Sequence, residues 1–333
     1  MGAMGLTRRA YLMLLGMGAL TLTACTRDEP APAPSPSAPT PSPTPSPTPS
    51  PSPSPTGPED PLPEGIVNAL LYGTDSREDS DYGGNTDAIV FAQISADRER
   101  VTFVSIARDT LLPVGNSKAK INSAYPIGGR DLLVSSVSKA LGGIPIDVTL
   151  HTNFAGFIAI TRFLEGIRVL NKHASSVTVS STGRFLDFPE GELLLENTDA
   201  LIYARQRYGL PQGDLDRAER HRALLTGIIK GMQFVQEKTP RVMNKLVKNL
   251  AGRCQMNGIE KDAVTDLVTP LMQVDPEQVT SLMLPLAGFG SHGGQSVNIP
   301  NESRLRELGE ALAAGDISSY VDAYGLDYTP TER

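Results

Sequence analysis

The sequence predicts an α/β fold, an α-β-α layered domain in which a central mixed sheet is flanked by helices. Short apolar runs rich in β-branched and aromatic residues occur at 66–72, 88–94 and 101–106, the lengths and compositions of strands. Apolar residues at helical spacing follow at 132–141 and 154–164, and again from about 215 to 234. Alternation of the two patterns calls for helices layered on a sheet, and three strands in close succession call for antiparallel as well as parallel pairing.

Each element has its own signal. The run 66–72 is closed by Gly73, and the run 132–141 by Gly142-Gly143, a helix stop. A further short strand is expected at 177–179. Ahead of them the chain cannot join a core. Arg8 and Arg9 precede an apolar stretch, 12–22, too short to span a bilayer comfortably, which reads as a signal peptide. It ends in Leu22-Thr23-Ala24-Cys25, which resembles a bacterial lipobox; the Cys25 thiol would then carry a diacylglyceryl group, whose two chains give firm membrane attachment. An ordinary secretory signal cut elsewhere is the alternative, and the arginine pair also resembles a twin-arginine signal. From residue 29 to 63 the chain is almost wholly Pro, Ser, Thr and Ala, a polyproline II tether reaching on the order of 100 Å at ~3.1 Å per residue. The expected organisation is therefore a lipoprotein signal peptide (1–25), a Pro/Ser/Thr-rich linker (26–64), a catalytic domain (65–316) and a C-terminal tail (317–333).

The chain of 333 residues carries a net charge of -7, so its overall field repels nucleic acid, and an anionic ligand must be held by a local arginine cluster. Two cysteines exclude a disulfide framework, and lipidation of Cys25 leaves Cys254 as a small buried hydrophobe.

The chemistry-bearing residues lie at strand ends. Asp75 follows the first strand and Asp87 precedes the second, so an antiparallel hairpin sets both carboxylates at one end of the sheet. Hard carboxylate oxygens without His or Cys nearby suit Mg²⁺, with Mn²⁺ a substitute; the bland alternative is a pair of acids decorating a surface loop. Arg108 and Asp109 end the third strand. Tyr203-Ala204-Arg205-Gln206-Arg207 and Asp214-Leu215-Asp216-Arg217-Ala218-Glu219-Arg220-His221 bring four more arginines, with Arg217 and Arg220 on one helix face. Planar guanidinium groups match phosphate oxygens in a bidentate way. The alternative is that Asp216 and Glu219 form an N-cap and capping box while the arginines pair with acids on a solvated face.

The segments GTDSR, NTDA, SIARDT, KINSAY, YARQR and DLDRAERH, in that order, resemble the successive signatures of the LytR-CpsA-Psr proteins. The resemblance implies an α-β-α domain of that type, with a polyprenyl tail in an apolar tunnel and its phosphates at the mouth. It implies Asp75 and Asp87 as Mg²⁺ ligands, and Arg77, Arg108, Arg205, Arg207, Arg217 and Arg220 as diphosphate-binding residues. Asp75, Arg108 and Asp214 would carry the catalysis, Asp214 as proton acceptor or as an acid that orients arginines. The implied reaction moves a phosphate-linked glycan (teichoic acid, arabinogalactan or a capsule-like polymer) from a polyprenyl diphosphate carrier to peptidoglycan, at the extracytoplasmic membrane face. Asn85, Ala107, Asn153 and His221 stand where the family commonly has Arg, Pro, Asp and Gln. Two other readings use the same residues: a polyprenyl diphosphate hydrolase, and a non-catalytic lipid-phosphate-binding regulatory lipoprotein.

Other signals point nowhere further. Residues 288–293 match G-x-G-x-x-G, but no helix pattern follows and Pro300 comes soon after. His151, His173, His221 and His292 lack zinc-ligand spacing, and Ser291 lacks the flanks of a nucleophile elbow.

Overall fold

The structure is a computed structural model that describes residues 60–76, 82–239, 252–328 and 330, with 242, 243, 245, 247 and 248 between them. The signal peptide, Cys25, most of the linker and Arg77 lie outside the described residues.

Six strands build the central sheet, in the order β11 (Cys254–Asn257), β6 (Val148–Thr152), β1 (Val67–Thr74), β2 (Thr86–Ile94), β3 (Val101–Ser105) and β12 (Val279–Met283). The predicted hairpin is present: β1 pairs antiparallel with β2, and β2 with β3. β6 lies parallel to β1 and β12 parallel to β3, pairings that need long crossovers, so the sheet is mixed as the sequence predicts.

Alternation along the strands sorts their side chains to two faces. Leu70, Tyr72, Ile89, Phe91 and Val104 pack beneath α1 (Ala124–Ala140) and the helix Glu302–Ala314. Val67, Ala69, Val90, Ala92 and Phe103 face the opposite layer, where α4 (Asp214–Lys238) crosses the sheet and α2 (Phe154–Phe163) and α3 (Asn197–Arg205) lie behind it. In α1, Gly128 and Gly129 break the helical backbone, with Gly129 at φ +65°, which is why the apolar periodicity becomes readable only beyond them. Smaller ladders pair β4 (Leu111–Val114) with β5 (Ser117–Lys120) and β7 (Ile167–Asn171) with β10 (Gly191–Leu195), and the strand expected at 177–179 is β8 (Ser175–Thr178), paired with β9 (Phe185–Phe188).

Three expectations need correction. Residues 317–333 are not merely a tail: Ser318–Tyr324 is a helix, Tyr320 belongs to the buried core, and Tyr324 and Tyr328 pack against it. The linker's end belongs to the domain as well, because the buried Arg98 binds Asp60 at 2.7 Å and the carbonyls of Pro63 and Gly65 at 2.7 and 2.6 Å. Asp216 is not the N-cap of α4; Gly213 holds that place, and Asp216, in the first turn, accepts from the Gln212 N–H at 2.6 Å. Glu219 pairs with Lys172 at 3.1 Å instead of completing a capping box. The glycine-rich 288–293 segment forms a hairpin, β13 (Leu286–His292) and β14 (Gln295–Pro300), turned by Gly293 and Gly294 at positive φ.

Candidate active site

All four central strands deliver side chains to one end of the sheet. Register places Gly73 opposite Ala88 and Thr74 opposite Thr86, with an irregularity between, so Asp75 and Asp87 leave adjacent strands at the same edge. Beyond β3 the backbone turns at Thr110, whose N–H donates to the Ala107 carbonyl, and Arg108 and Asp109 stand in this turn. The KINSAY segment supports the turn from behind. Ile121 is fully buried, its N–H and that of Asn122 donate to the carbonyls of Thr110 and Arg108, and Lys120 pairs with Asp109 at 2.9 Å. Buried Ser105 donates to the Ala218 carbonyl at 3.0 Å, which locks the strand end to the first turns of α4.

The charged groups form a chain. Arg108 donates to Asp87 at 2.6 Å and approaches Asp214 at 3.7 Å, and Arg217 lies 2.7 Å from the same Asp214 oxygen. That last contact is charge attraction without hydrogen-bond direction, since Asp214 Oδ1, Arg108 Nε and Arg217 Nε are buried without a hydrogen-bond partner among the described residues. Burial drives the Asp214 carboxyl up against the pull of Arg217 and Arg108, and drives the Arg217 guanidinium down against the pull of Asp214. Burial also presses Arg108 down, but the hydrogen bond and charge of Asp87, with Asp214 and Asp109, outweigh it and the net shift is upward. Buried guanidinium groups with unspent donors form a receptor for an oxyanion.

The other predicted arginines divide. Arg205 stands at the rim with its guanidinium 4.5 Å from the Phe154 ring centre. Arg207 is close enough for its charge to act on Asp214 and Arg217. Arg220 does not join them, although it shares a helix with Arg217. It is 1 % exposed, donates to Ser175 Oγ at 2.7 Å and the His173 carbonyl at 3.0 Å, and lies over Tyr203, so its donors are spent on structure.

Below the cluster is a cavity of about 370 Å³ between α4 and the sheet. Its rim carries Asp87, Thr74, Asn153, Arg205, Arg217 and His221, and its depth is apolar. On α4 the lining residues Arg217, His221, Leu224, Leu225, Ile228, Ile229 and Met232 follow helical spacing, so one helix face passes from charge to hydrocarbon within about two turns. The sheet opens the space because the facing positions Ala69, Gly73, Ala88 and Ala92 are small. The space opens at the charged rim, so an apolar depth is entered past Asp87, Arg205 and Arg217. Cys254 lines the wall, and burial raises its thiol. His221, at the boundary, donates from Nε2 to the Ala204 carbonyl at 2.9 Å, and burial with the Arg217 charge pushes its pKa down to about 4.

Asp75 and Asp87 are two hard oxygen donors from neighbouring strand ends. No cluster of three or more His, Cys, Asp or Glu able to enclose a metal occurs among the described residues. This set fits a cation that completes its shell with water and phosphate, as Mg²⁺ does, and does not fit zinc. Gly84, at φ +96°, lets the loop close against Asp75, where a Cβ would collide with the carboxylate.

Sequence reasoning missed several contributors. His151 is fully buried beneath Thr74, 3.0 Å from its hydroxyl, and stacks on Tyr72 with Tyr125 edge-on; burial holds its pKa down to about 4. The alternate small residues of β1 and β2 were the available signal for the cavity. Asn153, where the family commonly has Asp, caps α2 by accepting from the Gly156 N–H at 2.9 Å, a role Asn and Asp fill equally well.

The LytR_cpsA_psr family model matches residues 46–314. A protein of Halalkalibacterium halodurans named polyisoprenyl-teichoic acid–peptidoglycan teichoic acid transferase TagU is 35% identical over 195 residues, 57% of this chain and 62% of that one. Cell wall biosynthesis protein LcpA of Corynebacterium glutamicum is 29% identical over 321 residues, 80% of this chain and 60% of that one. The chain thus spans roughly half to three-fifths of the length of the curated relatives it matches. Among solved structures, B. subtilis TagV superposes with a TM-score of 0.63 at 22% identity, covering 81% of this chain and all of that one. TagT bound to LI-WTA gives 0.59 at 22% identity, covering 75% and 90%. These likenesses show the fold, and the family model, which matches most of the sequence, shows that this chain belongs to the LytR-CpsA-Psr family.

Proposed function

We propose that this protein transfers a phosphate-linked glycan from a polyprenyl diphosphate to peptidoglycan. The observation that carries the reading is one cavity joining an apolar depth to a rim of Arg205, Arg217 and Asp87 with Arg108 beside it, the shape and polarity of a lipid with a diphosphate head. The names of its transferase relatives support the same reading.

In this account the prenyl chain lies along α4, and Arg217, Arg205, Arg108 and Arg207 bind the phosphates. An acceptor hydroxyl of the wall attacks the glycan-linked phosphorus, the bond to the bridging oxygen breaks, and polyprenyl phosphate leaves. Asp214 holds Arg108 and Arg217 in place, and it is the candidate acceptor of the hydroxyl proton. Mg²⁺ held by Asp75 and Asp87 would neutralise phosphate charge; positioning and charge compensation supply most of the rate. The lipobox, the tether and a wall acceptor together support attachment through Cys25 at the extracytoplasmic membrane face.

The test uses the full-length chain in detergent with Mg²⁺, a polyprenyl-diphosphate oligosaccharide and uncrosslinked peptidoglycan, followed by mass spectrometry. A glycan-phosphate adduct on the acceptor, absent in Asp75→Ala and Arg108→Ala, is expected. Phosphate release without an adduct would replace the transferase by a hydrolase; bound lipid with no product would leave a binding protein.

A further inference from the structure

We infer that Tyr208 and Arg207 form a glycosyl-phosphate subsite, in which the phenol ring stacks on the pyranose joined to the phosphate that Arg207 holds. The inference rests on the reading of the cavity as a lipid-diphosphate site and names the part of the substrate that lies outside it. Tyr208 is 75% exposed, the most exposed large apolar side chain among the described residues, in a chain with no Trp, nine Tyr and nine Phe. It is nonetheless fixed. Gln206, itself buried, donates from its amide to the Tyr208 carbonyl at 2.8 Å and to the Ser176 carbonyl at 3.1 Å, and Leu210 returns to the core two residues later. A rigid backbone therefore presents an aromatic ring to solvent at the end of α3.

The ring and the neighbouring cation act as a unit. Arg207 donates to the Tyr208 hydroxyl at 3.1 Å, and its guanidinium carbon lies 5.0 Å from the ring centre. Arg207 stands beside the start of α4, its carbonyl oxygen 3.9 Å from the place a Cβ would take on Gly213, next to Asp214. A guanidinium that binds phosphate and an aromatic face about 5 Å away match the spacing of a sugar and the phosphate on its anomeric carbon. The C–H face of a pyranose is apolar enough to stack on such a ring. Two sugars could use it, the first residue of the donor glycan or a sugar of the wall acceptor. The tie to Arg207 favours the donor, whose sugar is bonded to the phosphate.

The experiment measures equilibrium binding of two probes to the full-length chain in detergent: geranylgeranyl diphosphate and geranylgeranyl-diphospho-N-acetylglucosamine. The wild type should prefer the glycosylated lipid by roughly fivefold to tenfold. Tyr208→Ala should lose that preference and bind the bare diphosphate as before. Tyr208→Trp should keep it, and as the sole tryptophan its emission should shift with the glycosylated lipid only. A preference unchanged in Tyr208→Ala would overturn the subsite, as would equal weakening for both lipids, which would mean that the ring acts through Arg207. Weaker binding of a soluble muramyl disaccharide to Tyr208→Ala, with donor preference intact, would overturn the donor assignment in favour of the acceptor. If the wild type binds neither lipid, the cavity reading itself fails and the subsite falls with it.

Discussion

Asp214 shows how single residues set the chemistry of this rim. It holds two guanidinium groups that would otherwise repel each other in a poorly solvated pocket. Arg217→Lys keeps the charge and loses the fork, so transfer should fall at least about tenfold while the fold persists, a split read from kcat and from the melting curve. His221 gives a pH signature. Its pKa is about 4 in the folded protein against an ordinary 6.5, so the neutral form is the one the fold accepts. The associated stability is fully present above pH 6.5 and is lost as pH falls towards 4. At pH 5 the loss is about 2 kcal/mol, and His221→Gln should remove it, measured by urea denaturation at pH 7.5 and pH 5. An equal acid sensitivity in both proteins would mean that another group, such as His151, dominates.

Two elements carry the cavity, the β1–β2 hairpin with its small residues and the lining face of α4. Ala92→Leu should fill the apolar space, leave the melting temperature within a few degrees, and weaken binding of a polyprenyl diphosphate by roughly tenfold in a filter-binding assay. The start of α4 depends on the C-terminal segment. Tyr328 donates to buried Asp216 at 2.7 Å, while Asp216 also accepts from Gln212 in the loop that leads into Asp214. Tyr328→Phe leaves a buried carboxylate oxygen short of one donor, so stability should drop by about 1–3 kcal/mol in urea denaturation. The strands and α4 were legible because apolar periodicity reports burial directly. Arg220 was misassigned by the same logic. Spacing of three places it near Arg217 on a helix surface, but it cannot show that one guanidinium turns to the rim while the other turns to the carbonyl of His173 and the hydroxyl of Ser175.

At the scale of the whole molecule, a three-layer fold buries one sheet face against α1 and leaves the other face partly open beneath α4. Strand-end carboxylates and arginines were readable from sequence because an antiparallel hairpin fixes which ends coincide. The emptiness beneath α4 was implied by the family resemblance alone, because small residues such as Ala69 and Ala92 read as ordinary strand positions until their opposite layer is known. The anchoring of Asp60 by Arg98 and of Tyr328 by Asp216 was equally hidden, since both depend on contacts across the fold. If the apolar cavity holds a prenyl chain whose diphosphate meets the arginine rim, a benzophenone-bearing polyprenyl diphosphate photo-crosslinked to the full-length chain should label residues 224–232 of α4. That label should be displaced by unlabelled lipid diphosphate and weakened in Arg217→Ala; label confined to exposed side chains such as Phe234 or Phe289, and unaffected by competitor, would mean that the cavity does not hold the lipid.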